Sequence, residues 1–249
     1  PGCKKRQYPE GGMRLCQERG YRRLQHLPPS LQILLCEFPE LEGDKIFVSS
    51  SGGVGVEFYK ERPKVKNEIP IIGYISRIDK GKGWDTLIDA LSILRERGVS
   101  YTAIIAGRGT LEKEMMKKIR DLYLDNLIKY IGPIPYHSLP EIYCTLDLFI
   151  FPTCLEESLG LVGLEAMACE VPVIGSYIGG LKDYIKDKEN GFFFTPGNAE
   201  ELSNKIELYL SLSSSEKQKM TEAAKRKAQR YASEIVGREL YAQLLRLID

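Results

Sequence analysis
Between positions 69 and 195 the chain alternates short, continuous apolar runs with longer stretches that are apolar on one face only. The runs cover residues 69–75, 102–106, 128–131, 148–151, 171–174 and 191–195, with Gly, Pro or Asp punctuating their ends. Unbroken apolarity over four to seven residues predicts strands buried on both faces, as in a parallel sheet. Between the runs, residues 84–96 place Leu87, Ile88, Leu91 and Leu94 at helical spacing, and residues 111–122 and 138–146 do likewise. Six strands alternating with helices predict an α/β fold, a Rossmann-like doubly wound parallel sheet of about six strands. Ligands of such a sheet bind beyond the carboxyl ends of its strands. After Pro196 the pattern turns helical, over 199–212, 215–231 and 233–248, with Ser214, Ser215 and Glu216 as a helix start. The chain therefore divides into residues 1–44, a Rossmann-like domain over 45–235, and a C-terminal helix over 236–249.

Residues 1–44 depart from this pattern. Positions 1–30 hold seven Lys or Arg against two acids, a net of +5, and Pro28 and Pro29 then interrupt the chain. The segment reads as a solvated basic leader or the remnant of an upstream domain; the sharper alternative is an arm drawn to anionic lipid. Over all 249 residues the net charge is only +1, so no global field points to nucleic acid. No apolar run reaches the roughly 18 residues that span a membrane. The first residues lack the apolar stretch of a signal peptide, and the absence of an initiator Met is expected of a piece of a longer protein. Among the six cysteines there is no Cys-x-x-Cys pair. Cys144, Cys154 and Cys169 fall in apolar elements and read as small core residues of a reducing compartment. The expected location is cytoplasmic, with peripheral contact at the inner face of the membrane if the basic arm binds lipid. Cys3, Cys16, His26 and Cys36 are too irregularly spaced for a zinc site.

Three clusters carry candidate chemistry. Arg77 and Lys82 leave the carboxyl end of the first strand, flanked by Gly81 and Gly83. Arg presents a planar fork to phosphate oxygens and Lys a compact charge, while the glycines let the backbone approach closely. The same residues also fit a solvated surface loop, and they match neither the Rossmann glycine fingerprint nor the P-loop. Gly107 and Gly109 lead into a helix with Thr110 as its expected N-cap, which capping alone explains; lining a nucleotide pocket is the alternative. Gly132, Pro133, Ile134 and Pro135 end the third strand, and either place backbone groups against a base or simply stop the strand. The third cluster runs from Pro152 to Ala168, with Glu157 before a glycine turn and Glu165 inside the following helix. A helix N-terminus is an anion site, since its free N–H groups and dipole point at the ligand. Nearby glutamates are suited to accepting hydrogen bonds from hydroxyls instead. Phosphate together with several hydroxyls describes a nucleotide sugar. Glu165 lies between Leu164 and Ala166, where an acid is costly unless it has partners.

Arg77 with Lys82 and Gly83, Gly107 with Gly109, Asp147, the Glu157-to-Glu165 segment and Gly179 with Gly180 together resemble the C-terminal, donor-binding half of a retaining glycosyltransferase of the group 1 (family 4) type, with the GT-B fold. The resemblance spans about 45–249, and it implies one half of a GT-B fold followed by C-terminal helices. It implies that Arg77 and Lys82 hold a diphosphate, and that Glu157 binds hydroxyls of the donor sugar. Glu165 would bind the ribose, and the backbone of Ser158, Leu159, Gly160 and Leu161 would meet the phosphates. Gly107 and Ile134 would line the nucleotide pocket. Glu157, Arg77 and Lys82 are then the catalytic candidates, stabilising charge on the departing diphosphate. The implied reaction moves a hexose, with UDP the expected carrier, to a polysaccharide or glycolipid acceptor with retention of configuration. The expected partners are the nucleotide diphosphate sugar, a saccharide or lipid-linked acceptor and an N-terminal domain absent from this sequence. No Asp-x-Asp is present, so no metal is required, and no other cofactor is expected.

Two features depart from the family pattern. Glu170 stands where glycine is usual, and residues 1–44 are too few to form the acceptor-binding domain. His137 and His26 match no catalytic place and read as surface residues. On its own the fragment is expected to transfer weakly or not at all. The alternatives are a non-catalytic nucleotide-sugar-binding scaffold or a sugar-nucleotide epimerase, though the latter needs acid–base residues that this sequence does not show.

Overall fold
The computed structural model describes residues 53–60, 65 and 67–246. The basic run of positions 1–30, with Cys3, Cys16, His26 and Cys36, lies outside the described residues. All six apolar runs form strands: β1 (Ile71–Ile75), β2 (Thr102–Ala106), β3 (Ile128–Tyr130), β4 (Leu148–Phe151), β5 (Val173–Ser176) and β6 (Gly191–Phe194). They pair in parallel in the order β3-β2-β1-β4-β5-β6. The chain winds outward from β1 to β3, then returns to lay β4 on the other side of β1 and continues to β6. The loops leaving β1 and β4 therefore run in opposite directions and open a crevice at the carboxyl ends of the strands.

Strand β5 begins two residues later than its apolar run, because Pro172 has no N–H to donate. Its carbonyl still accepts from the Phe149 N–H at 3.0 Å, and the ladder starts at Val173. At the opposite end of the sheet, Asp147 Oδ2 accepts from the Ile71 N–H and the Asn67 side-chain amide, both at 2.8 Å. Asp147 thus clamps the starts of β1 and β4 and stands away from the crevice.

The helices are α1 (Val56–Lys60), α2 (Trp84–Glu96), α3 (Glu112–Asp121), α4 (Leu139–Thr145), α5 (Leu161–Ala168), α6 (Leu181–Tyr184), α7 (Ala199–Ser211), α8 (Ser214–Gln229) and α9 (Ser233–Leu245). One turn of 3-10 helix, Tyr136–Ser138, precedes α4 and carries the exposed His137. α1 and α6 are too short to show a period in the sequence. α8 opens with a reciprocal capping box between Ser213 and Glu216. α3 does not open as expected. Its N-cap is Leu111, without a side-chain cap, and Thr110 turns away to donate from both its N–H and its hydroxyl to Asp79 Oδ1, each at 2.9 Å. Those bonds hold the Asp79 carboxyl below its ordinary pKa.

Each face of the sheet has its own core. Leu87, Ile88 and Leu91 of α2 pack with Met115 and Ile119 of α3 and Leu202 and Ile206 of α7. Tyr143 of α4, Leu164 and Met167 of α5, Leu181 and Tyr184 of α6 and Ala224 and Ala228 of α8 form the other. Cys144 and Cys169 are buried there, but Cys154 is only half-buried, because it lies in the loop after β4 rather than in a core element. α9 begins at Ser233, directly after Ala232 bridges to Val54. Val236 is its buried contact with the body, while Leu240, Tyr241 and Leu244 stay exposed. Among the described residues no helix is long and apolar enough to cross a membrane.

Candidate functional site
The crevice between β1 and β4 holds a cavity of about 360 Å³, lined by Ser76, Arg77, Lys82, Phe151, Glu157, Ser158, Leu159, Gly160, Leu161 and Val162. Its walls come from the two loops whose divergence opens it. The loop after β1 is pressed onto the loop after β4 at Gly83. Gly83 has φ 77°, and a Cβ there would lie 1.8 Å from the Pro152 carbonyl oxygen, so only glycine fits. Beside it the Cys154 N–H donates to the Gly81 carbonyl at 2.8 Å.

This contact delivers Lys82 to Glu157. The Lys82 Nζ stands 2.7 Å from Glu157 Oε1, and the side chains are only 14% and 19% exposed. The Thr153 hydroxyl donates to the same oxygen at 3.1 Å. Arg77 is held loosely by comparison: it is 72% exposed and pairs with Asp79 at 3.3 Å, leaving its guanidinium free to swing to a ligand.

The third wall is the N-terminus of α5. Gly160 caps it in the left-handed region, with φ 76° and no side-chain hydrogen bond to the helix. A Cβ there would lie 2.6 Å from Phe151 Cε1. The first-turn N–H groups of a helix have no acceptor within the helix, and its dipole adds partial positive charge. The cavity therefore combines two side-chain cations and a helix N-terminus, which suit phosphate, with one carboxylate, which suits hydroxyls.

Of the candidates read from the sequence, the structure brings Arg77, Lys82, Glu157, Ser158, Leu159, Gly160 and Leu161 into one cavity wall. Glu165, Gly107 and Ile134 do not line it. Glu165 sits on α5 facing α4, where its Oε2 accepts from the Tyr143 hydroxyl at 3.0 Å. The Tyr59 hydroxyl is buried near the same carboxylate and makes no hydrogen bond among the described residues. Burial raises the Glu165 pKa above its ordinary value, and the hydrogen bond from the Tyr143 hydroxyl opposes that shift. Gly107 joins neighbouring loops instead: its carbonyl accepts from the Tyr130 hydroxyl and its N–H donates to the Gly132 carbonyl, both at 2.8 Å. Ile134 is half-buried against the core.

Ser76, Phe151 and Val162 line the cavity without having been singled out, and Thr153 holds Glu157. Only their adjacency to Arg77, Glu157 and the α5 N-terminus marks them in the sequence. Among the described residues no cluster of three His, Cys, Asp or Glu side chains is arranged to hold a metal ion.

Comparison with known proteins places the chain in a family. The family described as glycosyl transferases group 1 matches residues 56–227, which include every cavity-lining residue. The capsular polysaccharide biosynthesis glycosyltransferase CapM of Staphylococcus aureus is 32% identical over 184 residues, 71% of this chain and 46% of that protein. A crystal structure of HepE from Anabaena in complex with UDP superposes with a TM-score of 0.74 at 23% identity, over 87% of this chain and 61% of the other. The C-terminal domain of the group 1 glycosyl transferase LpcC from Francisella tularensis superposes with a TM-score of 0.62 at 27% identity, over 71% of this chain and 97% of that domain. The chain spans about half the length, or less, of the curated relatives it matches first.

Proposed function
This chain belongs to the family of glycosyl transferases group 1, and we propose that it supplies the donor-binding half of such an enzyme, taking a nucleotide diphosphate hexose. The observation that carries the reading is the cavity at the β1/β4 crevice, where Arg77, Lys82 and the α5 N-terminus surround Glu157. The match along nearly the whole of the LpcC C-terminal domain supports its being the C-terminal half. The UDP bound by HepE supports a uridine carrier. The name of CapM supports a polysaccharide acceptor, with a glycolipid as the other member of that class.

On this reading the diphosphate lies across Arg77, Lys82 and the N–H groups of residues 158–161, and Glu157 accepts from hydroxyls of the donor sugar. Glu165, one turn into α5 and already holding the Tyr143 hydroxyl, receives the ribose hydroxyls on its remaining lone pairs. An acceptor hydroxyl attacks the anomeric carbon on the face the diphosphate is leaving. The new C–O bond forms as the bond to phosphate breaks, and the acceptor proton passes to a phosphate oxygen, so configuration is retained without a protein nucleophile. Negative charge grows on the leaving diphosphate, and fixed cations and helix N–H groups stabilise it there. No metal is needed to bridge the phosphates. The exposed Leu240, Tyr241 and Leu244 of α9 suit packing on a further, acceptor-binding domain.

The test is thermal melting with UDP, GDP and ADP, because a ligand that binds only the folded state raises the midpoint. One diphosphate should shift the midpoint, and Lys82→Ala together with Arg77→Ala should abolish the shift. An unchanged midpoint with all three would refute the reading.

A further inference from the structure
We infer that Tyr184 is a positioning residue for the anion-binding loop: acting through the Gly160 carbonyl, its hydroxyl sets the direction in which the Leu161 N–H points. The inference rests on the diphosphate reading above. Tyr184 ends α6 and is completely buried. Its hydroxyl donates to the Gly160 carbonyl at 3.2 Å, an oxygen that also accepts from the Gly163 N–H at 3.1 Å. At the other end of the same loop, the Gly180 N–H donates to the Glu157 carbonyl at 2.8 Å. The short α6 and the glycine before it thus hold the loop by two carbonyls.

The consequence follows from the planarity of the peptide bond. In a trans peptide the C=O and the next residue's N–H point in opposite directions. Drawing the Glu157 and Gly160 carbonyls toward α6 therefore turns the N–H groups of Ser158 and Leu161 away from it. Ser158 and Leu161 both stand in the cavity wall. A tyrosine ring alone would fill the core as well as a phenylalanine, so the hydroxyl needs another reason. The space for it is bought at position 163, where a Cβ would lie 2.2 Å from the Tyr184 hydroxyl oxygen. Glycine inside a helix is unfavourable relative to alanine, so α5 gives up helix propensity to admit this one oxygen. Burial, with the Glu157 charge adding to it, raises the Tyr184 pKa well above its ordinary value. The carbonyl has no proton to give, so the hydroxyl is the donor in this bond.

The test is calorimetry on the full chain with whichever of UDP, GDP and ADP binds the wild type, and in parallel with the matching nucleoside. Tyr184→Phe should weaken the diphosphate by about three- to tenfold, the range for one lost hydrogen bond, and leave the nucleoside unchanged. Gly163→Ala, which displaces the hydroxyl from the other side, should produce the same selective loss. The double variant should be no weaker than the worse single one, because both remove one interaction. Wild-type affinity for the diphosphate in Tyr184→Phe, or an equal loss of diphosphate and nucleoside, would overturn the inference. If Tyr184→Phe fails to fold, Gly163→Ala alone decides it by the same split. If the wild type binds none of the three diphosphates, the functional reading fails first and this inference falls with it, a result distinct from any of the variant outcomes.

Discussion

The Lys82–Glu157 pair offers the sharpest quantitative check on the site. At 2.7 Å, the Coulomb attraction of two unit charges is about 1.5 kcal/mol in bulk water and about 6 kcal/mol at an effective dielectric of 20. The side chains are 14% and 19% exposed but stand in a cavity wall that water reaches, so part of this attraction is offset by desolvation. A net coupling of about 1–3 kcal/mol is expected, the range found for contacting residues. Lys82→Ala leaves Glu157, among the described residues, with the Thr153 hydroxyl as its side-chain donor, and should lower the melting midpoint by about 2–4 °C per kcal/mol lost in a domain of this size. Glu157→Ala should also destabilise, and the double variant should recover part of the sum. Urea denaturation of all four proteins gives the coupling directly. A value below about 0.5 kcal/mol would refute the claim that this pair is formed and shielded. The same pair predicts opposite effects on two ligands. Glu157→Gln frees Lys82 and removes a carboxylate from beside the phosphates, so nucleoside diphosphate should bind at least as tightly as before. The nucleotide sugar should bind more weakly, having lost the acceptor for its hydroxyls. A parallel loss of both would exclude Glu157 as a sugar contact.

Two further substitutions test features outside the cavity. Glu170 has φ 62°, a left-handed conformation that costs a non-glycine residue roughly 1–2 kcal/mol. Glu170→Gly and Glu170→Ala lose the same side-chain contacts, but only glycine escapes this strain, so the glycine variant should be the more stable of the two by about 1 kcal/mol, and urea curves showing the reverse order would disprove the strain. Glu165 has its folded-state pKa raised by burial, so the folded state holds its proton more tightly than the unfolded state does. Stability from this group is present below its ordinary carboxylate pKa and is lost as pH rises through the folded value. Glu165→Gln should raise the melting midpoint at pH 8 with a gain that shrinks in acid, and should still weaken nucleotide binding by about 1–3 kcal/mol; a gain that does not vary with pH would show that burial is not the cause.

The strands were legible because a doubly covered parallel strand has to be apolar throughout, which leaves short unbroken runs in the sequence. Their order was not written in any local pattern. Nothing in residues 148–151 alone shows that β4 returns to the flank of β1, yet that return opens the crevice and brings Lys82 against Glu157 across 75 positions of chain. Local rules failed where a tertiary partner outbid them. Thr110 has the right residue type for an N-cap, but Asp79 on the neighbouring loop takes both its N–H and its hydroxyl. Pro172 sits inside an apolar run but cannot donate to the ladder, and the strand waits until Val173.

A motif that identifies a family mixes residues that face the ligand with residues that hold the frame, and only geometry separates them. Asp147 belongs to the set that carries the resemblance, yet it works at the far end of the sheet, where its carboxylate accepts the Ile71 N–H. Gly83 has no side chain to offer a ligand, but without it the Pro152 carbonyl would be overrun and Lys82 could not reach the cavity wall. Tyr184 lies outside the residues that carry the resemblance and looks like any apolar residue of a short helix, although its hydroxyl holds the carbonyl beneath the α5 N-terminus. The chemistry at this crevice therefore depends on two kinds of constraint. Charged groups near the ligand leave a readable trace in the sequence through their type and spacing. The groups that aim the backbone leave almost none, because a hydrogen bond to a carbonyl asks only for a donor in the right place, and many sequences can supply one.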